Sequence, residues 1–157
     1  MTGSGSAQPN GRASAKRHLM TAIAGVSLAG VVVSFISLYH HFGTSKTSFC
    51  NFGESFNCDV VNRSSYSTVL GVPVALIGVL GYLLILALAT VYRGKAETPV
   101  MLVIASTGGL GFALYLTYIE KFVLQAWCVL CLTSLALILS EAVLSAIVAG
   151  RTLQRDR

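Results

Sequence analysis

Residues 127–149 read WCVLCLTSLALILSEAVLSAIVA, an apolar stretch in which Glu141 is the only charged residue. About 20 such residues, wound into a helix, cross the hydrocarbon core of a bilayer, where every backbone polar group has to be paired within the helix. The stretch therefore predicts a membrane-spanning helix. Two cysteines, Cys128 and Cys131, open it one helical turn apart.

Three more apolar runs precede it, at about residues 19–42, 69–92 and 99–119. The chain is 54% hydrophobic and 11% charged, whereas soluble domains carry about 25% charged residues. The first run exceeds the apolar core of a signal peptide and no A-x-A cleavage site follows it, so we interpret it as a retained span. Strand-like alternation is absent. The sequence thus predicts an all-α, integral membrane four-helix bundle.

The basic residues predict the orientation of this bundle. They lie at the ends of the apolar runs rather than in a patch of the size of a nucleic-acid groove, so the net charge of +5 does not indicate a nucleic-acid partner. Eight are assigned to one side: Arg12, Lys16, Arg17, Arg93, Lys95, Arg151, Arg155 and Arg157. Three are assigned to the other: Lys46, Arg63 and Lys121. By the positive-inside rule both termini and the 93–98 loop are cytoplasmic, and the long loop 43–68 between helices 1 and 2 and the short loop 120–126 face outward.

Three segments follow from this layout. Residues 1–17, rich in Gly, Ser and Ala, are expected to be a disordered basic cytoplasmic tail. Residues 18–150 form the four-helix transmembrane domain, and residues 151–157 form a second basic cytoplasmic tail.

All four cysteines fall on the predicted outer side, which is the oxidising compartment. Cys50 and Cys58 lie in the long loop, in CNFGESFNC. Cys128 is nearest to the helix N-terminus, where unpaired N–H groups favour a thiolate, and nearest to water, so we expect it to exchange with other thiols. Cys131, about 4.5 Å deeper, faces a drier space that suits a membrane-soluble acceptor.

Other interpretations remain open at this point. A static disulfide between Cys128 and Cys131 would close a very short loop and would stabilise little. A four-cysteine zinc site would need thiolates beside lipid, and no zinc-knuckle spacing surrounds the loop pair. Cys50 and Cys58 are either a structural staple or the first half of a relay, in which thiolate attack passes electrons on to Cys128.

The chain resembles the vitamin K epoxide reductase family, in particular its small bacterial members without a fused thioredoxin domain. The resemblance covers about residues 20–149 and rests on the C-x7-C loop pair, on CDVVNRSSYSTVLGVPVALIG at residues 58–78, and on CVLC at residues 128–131. It implies a quinone reductase of the inner or plasma membrane, multi-pass, with its active site on the periplasmic side. Such an enzyme reoxidises a thioredoxin-like (DsbA-type) periplasmic protein and supports disulfide bond formation.

The resemblance also implies site residues. Cys128 and Cys131 match the active-site pair, with Cys131 beside the quinone, which is ubiquinone or menaquinone. Cys50 and Cys58 match the shuttle pair, in which Cys50 accepts electrons from the partner and Cys58 exchanges with Cys128. Ser64 matches a serine of the quinone pocket, and the neighbouring Ser65 is a weaker match. No metal is implied.

The animal enzymes differ from this chain at two positions linked to the vitamin K head group. They have a tyrosine where this chain has Leu135, and an asparagine whose nearest counterpart here is Ser67. Quinone reduction is therefore favoured over epoxide reduction. The competing class of function is a non-enzymatic four-helix membrane protein with two structural outer disulfides.

A few residues outside the cysteines are further candidates. Trp127 is typical of the membrane interface and, next to Cys128, is a candidate to border the quinone pocket. Glu141 is either a helix-paired acid near the inner interface or a proton source for a reduced quinone. His40 and His41 are either interfacial anchors or acid–base groups for the thiols.

Overall fold

The computed structural model of the chain describes residues 9–43, 51–52 and 56–154. Four long helices run through this part: α1 (Pro9–Phe42), α3 (Val74–Thr90), α4 (Thr98–Ile119) and α5 (Val129–Leu153). A short helix, α2 (Cys58–Asn62), lies between α1 and α3 and is followed by a single 3-10 turn, Ser65–Ser67. A π-helical turn, Glu120–Leu124, continues α4.

The long helices form a closed ring in the order α1, α3, α4, α5, because each packs against its two neighbours and α5 returns to α1. Two small hairpins complete the described fold. In the first, β1 (Asn51–Phe52) pairs antiparallel with β2 (Phe56–Asn57), and in the second β3 (Thr68–Val69) pairs antiparallel with β4 (Val72–Pro73). A four-helix bundle, as predicted, fits this arrangement.

Three helical segments are long and apolar enough to cross a membrane: Ala13–Phe42, Thr98–Leu124 and Val129–Leu153. The fourth long helix, α3, has 17 residues and spans about 25 Å, at the lower end of the usual range for a crossing. Large apolar side chains remain exposed on all four helices, where lipid would surround them, among them Phe35, Leu84, Ile104 and Leu139.

The helix bounds differ from the predicted runs at three places. α1 begins at Pro9, so residues 9–17, expected within a disordered tail, are helical; proline is suited to a first helical position. The second run was predicted to be helical from residue 69, but α3 begins only at Val74. Residues 120–124, expected in a loop, continue the third helix, and Gln125 with φ +50° ends it.

The late start of α3 has a local cause. Val72 precedes Pro73, and a residue before proline is disfavoured in the α conformation. Leu70 and Gly71 have φ values of +52° and +82°, which turns the chain back on itself between β3 and β4. Only after this hairpin does the apolar run become a helix.

The interior combines apolar packing with a few polar contacts between helices. One cluster joins α1, α3, α4 and α5 through residues that include Ile23, Ile85 and Leu102. In the same interior, the Ser27 hydroxyl on α1 donates a 2.7 Å hydrogen bond to Oε1 of Glu141 on α5. The Tyr82 hydroxyl on α3 donates to the backbone carbonyl of Ser134 at 2.8 Å.

Gly30 allows α1 to approach α3 closely, because a Cβ added there would overlap the ring of Tyr82. Small residues at helix contacts are a common means of packing in membranes. At Gly25, five residues earlier on the same helix, an added Cβ would meet nothing within 4 Å.

We therefore expect Gly30→Ala to lower the free energy of unfolding by about 1–3 kcal/mol, the usual cost of overpacking. Gly25→Ala is the matched control and should be neutral or should stabilise by up to about 1 kcal/mol through helix propensity. Unfolding in mixed micelles with a denaturing detergent, followed by circular dichroism, measures both variants. Equal stability of the two variants would contradict the close contact of Gly30 with Tyr82.

Candidate functional site

Cys128 and Cys131 begin helix α5. Cys128 is its N-cap, with φ −109° and ψ 115°, and its carbonyl accepts the first helical hydrogen bond, from the Leu132 N–H at 3.0 Å. Cys131 lies one turn into the helix. Both residues carry free thiols, so the pair is in its dithiol form.

A backbone connection between residues 56–57 and Trp127 places Cys58 beside this helix terminus. The Asn57 N–H donates to the Trp127 carbonyl at 3.1 Å, and Phe56 and Trp127 form a parallel β-bridge. The Asn57 side chain then accepts from the Val60 N–H at 3.1 Å and so caps α2, whose first residue is Cys58. Cys58 follows Asn57 and Cys128 follows Trp127, so the connection between Asn57 and Trp127 brings the two cysteines together.

The two cysteines share one buried apolar cluster, with Val61, Ala126 and Leu130. Cys58 exposes 1% of its surface and Cys128 exposes none. The sequence predicts Cys128 as the cysteine nearest to water, but the structure buries it completely, in the cluster that it shares with Cys58.

Cys58 is disulfide-bonded. Cys50, the predicted partner in the loop pair, lies outside the described residues. The dithiol at Cys128 and Cys131 and the disulfide at Cys58 thus occur together in one molecule.

A cavity of about 370 Å³ lies inside the bundle beneath α2, and Cys131 is among the residues that line it. Apolar side chains of all four long helices form most of its wall. Four glycines, Gly78, Gly81, Gly108 and Gly109, also border it. Their lack of side chains leaves room between the helices in addition to permitting close packing.

The polar groups of the cavity lie mainly on the side of α2. They include Ser37, His41, Asn62, Ser64, Ser67, Glu120 and Ser134. Ser64 was predicted from the family resemblance, and its hydroxyl donates to the Val61 carbonyl at 2.8 Å. Trp127, also predicted for the quinone pocket, is not among the described residues that line the cavity. Its backbone instead holds Phe56 and Asn57, as described above.

Asn62 is the last residue of α2 and is 93% buried, with 7% of its surface exposed. Its backbone carbonyl is 2.5 Å from Nδ1 of His41, so that nitrogen carries a proton and donates. The Asn62 side-chain Nδ2, in contrast, has no hydrogen-bond partner in the structure. An amide donor without a partner on the wall of a cavity is a place where a ligand oxygen can bind.

Glu120 is the functional candidate that the sequence analysis missed. It is the first residue of the π-helical turn, and its carboxylate exposes 2% of its surface. Its Oε2 accepts a 3.2 Å hydrogen bond from the Cys128 N–H, and its side chain also interacts with the Cys131 thiol. An acidic residue inside an apolar run indicates a functional site, but the sequence predicts residue 120 in a loop, where an acid is common.

Glu141 occupies a different place. Its hydrogen bond with Ser27 joins α1 to α5, and it is not among the described residues lining the cavity. This geometry favours the helix-paired role over proton supply to a quinone. Of the two histidines, His41 lines the cavity, whereas His40 is buried with 5% of its surface exposed.

The electrostatic surroundings of Cys128 favour its thiolate. The hydrogen bond from the Cys131 side chain is the largest influence and lowers the pKa of the Cys128 thiol below its ordinary value. Burial and the Glu120 carboxylate act in the opposite direction, while the backbone N–H groups of Leu130 and Cys131 reinforce the lowering. A thiolate at a helix N-terminus is the nucleophilic form of cysteine.

A comparison with protein-family models agrees with this geometry. The model described as "Vitamin K epoxide reductase family" matches residues 21–146 of the 157-residue chain. The matched range contains α3 and α4 whole, α1 from residue 21, α5 up to residue 146, both hairpins and every cysteine.

The pKa of Cys128 can be tested by titration of the reduced protein in a Cys50→Ala/Cys58→Ala background, with ultraviolet thiolate absorbance as the signal. Because the folded-state pKa is lowered, the Cys128 thiolate should persist below pH of about 8.5, the ordinary cysteine value, and should be lost only as the pH falls further. Cys131→Ala removes the donor, so the midpoint should move upward.

Cys128→Ala in the same background is the control, since it should remove the low-pH transition altogether. A midpoint that stays in place in Cys131→Ala would show that the Cys131 thiol does not stabilise the Cys128 thiolate.

Proposed function

The chain belongs to the vitamin K epoxide reductase family, and from that premise we propose that it is a quinone-dependent thiol oxidase that generates disulfide bonds. The family consists of membrane oxidoreductases that are linked to quinones, and the spanning helices make this chain a multi-pass membrane protein. The proposal adds the electron path: from a thioredoxin-like periplasmic protein to Cys50 and Cys58, then to Cys128 and Cys131, and finally to a quinone.

One observation carries the proposal: Cys58 is buried against the CxxC pair, and that pair reaches an apolar cavity. Cys58, in a disulfide, shares its cluster with the Cys128 thiol. Cys131, one turn deeper, lines the cavity. A pair of structural disulfides, the competing class, gives no reason for Cys131 to line such a cavity.

The proposed exchange has two steps that balance. A thiolate of the partner attacks the loop disulfide, and resolution of the mixed disulfide leaves the partner oxidised and the loop pair as two thiols. The Cys58 thiolate next attacks a Cys128–Cys131 disulfide at Cys128, and Cys50 then attacks Cys58, so that the loop disulfide forms again. Cys128 and Cys131 are left as the dithiol, which is the redox state described above.

The dithiol is then reoxidised by the quinone substrate. The two thiols lose two electrons and two protons and form one S–S bond, and the quinone gains both to become a hydroquinone. Cys128 is completely buried, which shields its thiolate from water, and it shares its cluster with Cys58 of the loop pair.

The cavity fits a quinone ring. Its volume of about 370 Å³ lies in the range of small-molecule sites, about 300–1,000 Å³, and such sites are mainly apolar with a few placed polar groups. The unpaired Nδ2 of Asn62 would donate to one quinone oxygen, with Ser64 on the same side of the wall. Ubiquinone and menaquinone both offer such an oxygen. By the positive-inside rule this end of the bundle is on the periplasmic side.

The central prediction concerns the two cysteines of α5. Full-length protein in detergent, given a reduced thioredoxin-like protein and ubiquinone-1, should bleach the quinone absorbance. Cys128→Ala and Cys131→Ala should each reduce this rate to that of the protein-free mixture, because no dithiol can form. Ser140→Ala is the matched control on the same helix, since its hydroxyl is exposed and bonds only the Ala136 carbonyl. Turnover at the normal rate in either cysteine variant would refute the electron path.

A second prediction concerns Asn62. Asn62→Leu keeps the size of the side chain but removes the donor, so we expect KM for ubiquinone-1 to rise about 2- to 10-fold, the value of one hydrogen bond. The kcat should change little. Ser65→Ala, at a nearby exposed residue that is not among the cavity-lining residues, should leave both constants unchanged. An unaltered KM in Asn62→Leu would exclude the amide as a quinone donor.

A further inference from the structure

A buried carboxyl group contacts both residues of the redox pair and borders the cavity, and the electron path leaves it without a role. Glu120 lines the cavity together with Cys131. Its Oε2 accepts the Cys128 N–H at 3.2 Å, and the Cys131 thiol interacts with the same side chain. One carboxyl group thus touches both residues of the redox pair.

This position needs an explanation, because burial of a carboxylate is costly unless its oxygens are paired. Only Oε2 of Glu120 is paired, since Oε1 has no hydrogen-bond partner in the structure. The adjacent Lys121 does not compensate: it is exposed, and its Nζ lies 5.4 Å from the centre of the Phe122 ring. The carboxyl group therefore stays buried with one oxygen unpaired, beside the Cys131 thiol.

We propose that Glu120 is a catalytic residue that accepts the proton of the Cys131 thiol and passes it to the reduced quinone. The inference rests on the proposed function and adds a proton path to its electron path. The carboxyl group is the described acid–base group in contact with the Cys131 thiol, and it also borders the space that the quinone would occupy.

The step balances with the quinone as the oxidant. As the Cys128–Cys131 bond forms, two electrons leave the sulfur atoms for the quinone, and the proton of the Cys131 thiol moves to Oε1 or Oε2 of Glu120. Glu120 then protonates one oxygen of the reduced quinone and returns to its carboxylate form. The second proton reaches the other oxygen from solvent or from another group.

Two other polar groups are less suitable for this proton transfer. Glu141 bonds Ser27 and is not among the cavity-lining residues. His41 lines the cavity, but its protonated Nδ1 is directed to the Asn62 carbonyl. Neither group interacts with the Cys131 thiol in the way that Glu120 does.

Glu120→Gln tests the proposal, because the amide oxygen can still accept the Cys128 N–H but the side chain cannot carry the proton. With dithiothreitol as reductant and ubiquinone-1 as acceptor, we expect the rate of quinone reduction to fall about 100-fold or more. Glu120→Asp, which keeps an acid, should recover part of that rate. Glu141→Gln is the matched control, a second fully buried carboxyl group, and should retain the wild-type rate.

A spectroscopic measurement without quinone tests the same step. Oxidation and reduction of the Cys128–Cys131 pair in wild-type protein should give an infrared difference band in the carboxylic C=O region, shifted in D2O. The band should be absent from Glu120→Gln and present in Glu141→Gln. A wild-type spectrum without any such band overturns the role of Glu120 whether or not the variants fold.

The outcomes separate the two proposals. Wild-type protein that reduces no quinone but shows the Glu120 band would overturn the proposed function and support the proton coupling. A Glu120→Gln variant with the wild-type rate, or a wild-type spectrum without a redox-linked carboxyl band, would overturn the role of Glu120 and leave the electron path standing.

Discussion

The backbone hydrogen bond from Asn57 to Trp127 joins the segment before α2 to the start of α5, and the candidate site depends on it. Residues 57 and 127 are far apart in sequence, and their connection brings together the cysteines that follow them. Because the Asn57 side chain also caps α2, the same residue fixes where that helix begins and where Cys58 lies. One short stretch of backbone therefore helps to bring Cys58 and Cys128 into one buried cluster.

The surrounding bundle follows from the demands of lipid as a solvent. Apolar side chains can cover the outside at no cost, so the polar side chains are concentrated between helices, where each requires a partner. Ser27 with Glu141 and Tyr82 with Ser134 tie α5 to α1 and α3. Four of the described residues, Asn62, Glu120, Glu141 and Ser145, each keep one buried polar atom without a partner. Of these four, Asn62 and Glu120 line the cavity, which is where a substrate can complete the pairing.

Much of this could be predicted from the sequence, because apolar runs of spanning length determine helices in lipid almost regardless of detail. The CxxC motif at a helix start could also be recognised from the sequence, as could the family resemblance of residues 128–131 and 58–78. Local backbone chemistry was harder to predict: the hairpin before Val74 and the π-helical turn after Ile119 both lie inside apolar sequence. The π-helical turn has the larger consequence for the site, because it places Glu120 in the interior, whereas the sequence predicts residue 120 in a loop. The cover over Cys128 depends on a contact between distant segments, which no local pattern encodes.

The different surroundings of the two thiols give the proposed electron path its direction. Cys128 is enclosed with Cys58 in an apolar cluster, and its lowered pKa favours the thiolate that disulfide exchange requires. Cys131 opens instead on the cavity and on Glu120. A partner of the strongly oxidising type has a potential near −120 mV, and each 30 mV is worth about 1.4 kcal/mol for two electrons. Such a partner stays oxidised only if electrons drain to an acceptor of higher potential. The potentials thus drive the flow, and a pair with one thiol beside Cys58 and one on the cavity separates the entry of electrons from their exit.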